Sequence, residues 1–436
     1  MKWIEKERNL GMYRYVNLIT LLLLIALFPS LAAQSPENTL RLPELIREAL
    51  DNNPDLQSAQ NAWQAENAKI PQAGALPDPV ISFNLMNLPV NTLDFNQEPM
   101  TGKQIAIMQM FPFPGKQGLR ETIARENAST SEYRYQELRN QLVQQVKNTY
   151  YDLYFVDRAI EITGKNEAIL SEFVEIAESK YSVGTGLQQD VLRAQVERSK
   201  MSDRQIQLQQ KRDALEAQLN ALLNRPADLP LGSTEDLIYR ERSLDFAELK
   251  AQADTARPLL QAWQATERQS EQKIKLAKRE YLPDFSLGVA YTQREVLQSG
   301  MGGADFISGM FSVKVPLYFW RKQRQQVAES QLMRNSVADK YRDIKNQVYA
   351  AIDVSLNDLR KNEKLVELYQ TGIIPQASQS LQSAIAGYQT DKVDFLTLLT
   401  NQINLFNFEQ DYHRIISDYY KGIAKLEALT GVDFQK

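Results

Sequence analysis

The chain has 436 residues, with 50 Lys and Arg against 54 Asp and Glu for a net charge of −4, and no sustained basic run, which argues against a nucleic-acid partner. It has no cysteine and one histidine, so disulfides, thiolate metal sites, a cysteine nucleophile and an acylated N-terminal cysteine are ruled out. No paired catalytic groups stand out either, and the composition implies neither an enzyme nor a bound cofactor.

In chain order, Lys2, Lys6, Arg8 and Arg14 precede an apolar stretch from Val16 to Phe28, followed by Ser30-Leu31-Ala32-Ala33-Gln34. About thirteen residues fall short of the roughly 20 that a spanning helix needs, so residues 1–33 read as a secretory signal peptide. No later stretch is apolar enough for a membrane helix, and a membrane role would fall to strands.

The remainder is a duplication, residues 34–229 and 230–436, offset by roughly 204 to 207 positions. Asn53-Pro54-Asp55-Leu56 is answered by Arg257-Pro258-Leu259-Leu260, with Trp63 and Trp263 nearby. Leu76-Pro77-Asp78 is answered by Leu282-Pro283-Asp284, Phe111-Pro112 by Val315-Pro316, and Lys116-Gln117 by Lys322-Gln323. At the far end Leu219, Ala221 and Leu222 match Leu426, Ala428 and Leu429.

Within each copy the period of the apolar residues changes. Residues 42–73 lack alternation and are rich in Ala, Gln, Glu and Leu, which predicts helix. Ile81, Phe83 and Leu85 then alternate with Ser82 and Asn84, and Ile105, Ile107 and Phe111 with Gln104, Ala106 and Met108, which predicts two strands. In the second copy Phe285, Leu287, Val289 and Tyr291 oppose Ser286, Gly288, Ala290 and Thr292, and Ile307, Phe311, Val313 and Val315 oppose Ser308, Ser312 and Lys314.

From Gly115 to Tyr181 no proline intervenes, and Leu138, Leu142, Val146, Tyr150, Leu153 and Ile160 recur at steps of three and four. At 1.5 Å per residue this predicts a helix roughly 100 Å long. Leu187, Ala194, Met201, Leu208, Leu215 and Leu222 continue with a seven-residue repeat, as do Leu398, Leu405, Tyr412, Tyr419 and Leu426. Gly184-Thr185-Gly186 and Asp391-Lys392 mark the turns of two antiparallel helix hairpins. Gly164, and Gly372 with Pro375, are expected to kink or break the long helices.

Other features have plain readings. Gly115-Lys116-Gln117 lacks the residues of a phosphate loop and marks a strand-to-helix turn. Gly300, Gly302 and Gly303 read as an extracellular loop. Met86, Met108 and Met110 fall on the small or polar strand face, where they fill gaps or contact a soft metal. His413 reads as a packing or surface residue. Phe113, Tyr318, Phe319 and Trp320, just past strand ends, suit an interfacial belt or a buried lower rim.

Four strands cannot close a water-filled barrel, so several copies must share one. The predicted fold is mainly α with a membrane β-barrel portion: duplicated long antiparallel coiled-coil helices plus two strands per copy, a conduit completed by oligomerisation. A coiled-coil envelope scaffold without a pore is the competing class.

The two-copy order, with Tyr181-Ser182-Val183-Gly184-Thr185-Gly186 followed by Asp190-Val191-Leu192, resembles TolC-like outer-membrane efflux factors over nearly the whole mature chain. Phe111-Pro112-Phe113-Pro114-Gly115-Lys116, with Met100 before it, is similar to the heavy-metal efflux branch of the CzcC type. The resemblance implies a homotrimer in the outer membrane, in contact with its lipid, with a twelve-stranded barrel and a helical barrel crossing the periplasm. It implies as partners a periplasmic adaptor (membrane fusion) protein and an inner-membrane transporter such as an RND pump, serving metal or drug efflux or type I protein secretion. Tyr181, Val183, Gly184, Thr185 and Gly186 match the adaptor-contacting turn, with Tyr388 to Lys392 its counterpart, and Asp190 matches the acidic aperture, with Asp391 and Asp394 offered from the second tip. Here Thr397 stands opposite Asp190, and Asp391 replaces the tip glycine. These acids could equally be helix N-terminal charges that favour the dipole.

Overall fold

A computed structural model describes residues 39–434; the expected signal peptide lies outside the described residues. The first copy runs α1 (Leu42–Asn52), α2 (Pro54–Gly74), β1 (Val80–Met86), β2 (Gly102–Phe111), α3 (Lys116–Ser182) and α4 (Gln188–Leu222). The second repeats this order as α5 (Phe246–Ala256), α6 (Pro258–Arg279), β3 (Asp284–Gln293), β4 (Phe306–Lys314), α7 (Gln323–Leu368), α8 (Ile374–Gln389) and α9 (Phe395–Thr430). Asn53 both ends α1 and starts α2: its side chain accepts from the Asp55 and Leu56 N–H groups, with Pro54 at the start of the next helix.

α3 is one uninterrupted helix of 67 residues, so Gly164 does not break it; an isolated glycine lowers helix propensity without removing a backbone donor. The counterpart in the second copy differs. Between α7 and α8, residues Tyr369–Ile373 form a π turn in which the Ile374 N–H donates to Tyr369 O. That five-residue step shifts the register just ahead of Pro375, which then falls in the first turn of α8, where its missing N–H costs least. The rod therefore continues to Gln389 instead of breaking.

The core is a string of clusters along α3 and α9. Near the tips Leu170, Phe173, Val191, Ala194, Met201, Phe395, Leu398 and Phe406 pack together. Near the opposite ends of α4 and α9, Tyr150, Leu153 and Leu219 form one cluster and Ile352, Leu359, Tyr419 and Leu426 another. Ala194, Met201, Leu208, Leu398, Tyr419 and Leu426 of the two heptad series are buried. An ion pair also lies inside this bundle: Lys147 Nζ is 2.6 Å from Glu427 Oε2, and both residues are buried.

No helix among the described residues is long and apolar enough to cross a membrane. The strands form one antiparallel sheet in the order β1-β2-β3-β4. Register sorts its side chains cleanly: Phe83, Ile105, Tyr291 and Ile307 align across all four strands, as do Ser82, Ala106, Ala290 and Ser308 on the other face. The apolar face, including Ile81, Phe83, Ile107, Leu287, Val289 and Phe311, is exposed. Ala106 and Ala290, directly paired on the small-residue face, are buried. The two faces are thus chemically distinct, one a continuous exposed apolar surface and the other lined by small and polar residues.

Removing one partner of the buried pair leaves an uncompensated charge. Lys147→Met should lower stability by about 3–5 kcal/mol, measured as the shift in denaturant midpoint of the helical signal. Lys147→Met with Glu427→Leu should recover most of that loss.

Candidate functional site at the helix tips

The sheet feeds into the helices through a polar junction built on a buried lysine. Gly115, at φ 87°, turns the chain from β2 into α3. Lys116 Nζ then lies 2.8 Å from Asp284 Oδ1, 3.2 Å from Glu280 Oε2 and 2.9 Å from Leu282 O. Phe113 N–H also donates to Asp284 Oδ1, and the Phe113 ring packs on Phe285. The lysine of the glycine-lysine pair is thus a structural cation that ties the first copy to the second. The aromatic residues expected together divide: Phe113 is half-buried against Phe285, while Tyr318, Phe319 and Trp320 stay exposed.

At the other end, the two hairpin turns share one backbone design. In the first, Lys180 O accepts from Thr185 N and Gly186 N, both at 2.9 Å. In the second, Gly387 O accepts from Lys392 N at 2.8 Å and Val393 N at 3.3 Å. Each turn needs one left-handed residue: Gly184 at φ +80° and Asp391 at φ 56°, the latter tolerated because a short polar side chain offsets the strain. A Cβ on Gly186 would stand 2.9 Å from Lys180 Cβ, so glycine is required there.

The acids expected at the aperture have different surroundings. Asp391 Oδ1 is 2.5 Å from Lys180 Nζ, which also donates to Tyr388 O at 3.0 Å and lies 4.6 Å over the Tyr388 ring. Asp394 caps α9, accepting from Thr397 N at 2.7 Å. That bond holds its carboxyl below the usual range, with Arg193 adding to the effect. Asp190 lies in the first turn of α4, half-buried. Burial raises the Tyr388 hydroxyl pKa above its ordinary value, and the negative charges of Asp190 and Asp391 raise it further.

Sequence reasoning missed Lys180 and Arg193, the cations that answer these acids. A signal was available: Lys180 stands 207 positions before Gly387, as Gly184 does before Asp391. Charge and glycine have changed places between the copies.

The residues proposed for adaptor contact also divide. Tyr181 is 49% exposed and Val183 71%, whereas Tyr388 is 7% exposed and packs edge-on against Phe395. Gly184, Thr185 and Lys392 are exposed on the two turns and Gly186 is partly covered. Leu187, Leu192 and Leu396 nearby leave further apolar surface uncovered.

Away from the tips, Met86, Met108 and Met110 lie on the small-residue face of the sheet, joined by Met310, which with Met108 flanks Gly288. Among the described residues no group of three or more His, Asp or Glu is placed to hold a metal. His413 Nδ1 is 2.9 Å from the Tyr154 hydroxyl, and burial lowers its pKa, as for a packing residue.

A family model described as outer membrane efflux protein matches residues 45–225 and 249–432. No curated protein matches the sequence. Among solved structures the fold is similar to the outer-membrane channel OprN, at 18% identity and TM-score 0.77 over 91% of each chain. It is also similar to the outer membrane protein VceC from Vibrio cholerae, at 17% and 0.76 over 90% of this chain and 97% of that one. The Campylobacter jejuni CmeC outer membrane channel matches at 16% and 0.75 over 89% and 85%.

Because Lys180 holds the second turn through both Tyr388 O and Asp391, Lys180→Met should loosen it. Limited trypsin digestion of the folded protein is expected to cut after Lys392 several-fold faster than in wild type; an unchanged rate would show that the turn holds without the lysine.

Proposed function

The chain belongs to the outer membrane efflux protein family, and from that premise we propose that it is the passive outer-membrane duct of a tripartite efflux pump, working as a homotrimer. One observation carries this reading: a four-stranded sheet with an exposed apolar face and two open edges continues into helices roughly 100 Å long. A lipid-facing surface above a long tube suits a conduit.

The partners in this reading are a periplasmic adaptor and an inner-membrane transporter such as an RND pump. The adaptor meets the exposed turns at Tyr181, Val183, Gly184, Thr185, Gly186 and Lys392, with Tyr388 buried behind them as support. Asp190, Asp391 and Asp394 line the aperture, where three copies of each carboxylate draw cations as acidic rings do in cation channels. Lys180, Arg193 and Lys392 stand among them, so the tip is a lattice of opposed charges, and release of the Lys180–Asp391 pair favours opening. The stretch from Phe111 to Lys116 supports heavy-metal cations as the cargo through its likeness to that branch of the family.

Planar-bilayer recordings test the duct. Wild type should show a small conductance favouring cations; Asp190→Ala should weaken the preference, and Asp391→Ala should raise the conductance. Normal insertion with no conductance in any of the three would instead point to an envelope scaffold. For cargo, a strain lacking the protein should become several-fold more sensitive to heavy-metal salts than to hydrophobic drugs; the opposite order would assign it to drug efflux.

A further inference from the structure

The internal duplication allows the contact between two copies of the chain to be read from the contact between its two halves. β2 pairs with β3 within one chain, and β4 and β1 are the sheet's free edges. β4 is the later counterpart of β2, offset by 204 residues from Phe111-Pro112 to Val315-Pro316, and β1 is the earlier counterpart of β3, offset by 206 from Leu76-Pro77-Asp78 to Leu282-Pro283-Asp284. Within the chain Ile107 faces Val289, Gln109 faces Leu287 and Met108 faces Gly288.

We propose that protomers join by repeating this junction, with β4 of one chain paired antiparallel to β1 of the next in the register Phe311 with Phe83 of the partner subunit, Val313 with the partner's Ile81, and Ser312 with the partner's Ser82. This rests on the oligomeric reading above and adds the residues that meet. The register keeps apolar against apolar on the outer face and serine against serine on the inner one. A slip of one residue would turn Phe311 onto a serine or an asparagine and reverse the faces.

The helices carry the same signature of a missing neighbour. α6, held between α3 and α7, buries six residues, whereas its counterpart α2 buries Leu56 alone. In α7 no residue between Gln323 and Val348 is buried, while α3 buries Ala128, Thr130, Glu137 and Leu142 over the equivalent stretch. One side of α2 and the first half of α7 therefore await the same partner, a second copy of this chain.

The polar junction beneath the sheet completes the match. Lys116 opens α3 against Asp284 and Glu280; at the offset of 206 the corresponding positions are Lys322, Asp78 and Gly74. The lysine and one of its two carboxylates are kept in the repeat and the other carboxylate is lost, so the second junction pairs Lys322 with the single carboxylate of Asp78. Within the chain Asp78 and Lys322 are exposed, and neither makes a side-chain ion pair or hydrogen bond among the described residues. Gln323 is buried with its amide oxygen unbonded. In the assembly Lys322 receives Asp78 of the partner subunit.

The absence of native cysteine makes the test clean. Ser82→Cys with Ser312→Cys places thiols on opposite edges of one sheet, with two strands between them, so a disulfide between them joins different chains; directly opposed strand positions lie within disulfide reach. In outer membranes oxidised with diamide, this pair should give covalently linked oligomers, at least several-fold more than Asn84→Cys with Ser312→Cys or Val80→Cys with Ser312→Cys. Greater linkage in a shifted pair, or none in any pair of a protein that migrates as a native oligomer, would overturn the register. This readout does not depend on transport, so it separates failure of the seam from failure of the efflux reading. Asp78→Lys and Lys322→Asp should each lower the temperature at which the detergent-resistant oligomer dissociates, and the double variant should restore it. A double variant no more stable than the singles would remove the ion pair from the seam.

Discussion

The open edges of the four-stranded sheet constrain everything else in this protein. An apolar face this continuous calls for lipid, and in lipid every backbone N–H and C=O must find a partner within protein. β1 and β4 each leave one side of their ladder unpaired. The chain cannot satisfy those groups alone, because four strands are too few to close on themselves around water. Assembly is therefore a consequence of the sheet.

The long helices answer to the same geometry. A sheet that enters a ring must hand its strands to helices at matching positions around that ring. The buried cluster of Lys116, Asp284 and Glu280 makes this handover within the chain. Burial makes such a group worth keeping only when all its members are paired, and here the ammonium has two carboxylates and a carbonyl. Past this junction the core is linear, a succession of clusters along α3 and α9, so the tips lie far from the sheet and are joined to it by little besides the helices.

Duplication followed by local divergence accounts for the tips. Both turns keep the same hydrogen bonds and the same left-handed position, yet one fills it with Gly184 and the other with Asp391. The substitution adds a carboxylate, and Lys180 of the other hairpin meets it. The π turn after α7 is a second divergence, which absorbs Pro375 in a helix whose counterpart is unbroken. A symmetric scaffold thus carries asymmetry at one tip and at one turn of a long helix.

How much of this was legible beforehand follows from what each feature depends on. Strand alternation at Phe285 to Tyr291, the apolar steps of α3 and the heptads ending at Leu222 and Leu426 depend on local period alone, so the sequence by itself determined the elements, the duplication and the need for more than one chain. Asp190, Asp391 and Asp394 could be nominated from their place beside the turns, but not their surroundings. That Asp391 is neutralised by Lys180, that Tyr388 is buried while Tyr181 is exposed, and that Lys116 holds two carboxylates some 165 residues away only the tertiary structure decided. Each is a contact between segments whose separation along the chain has no period to betray it.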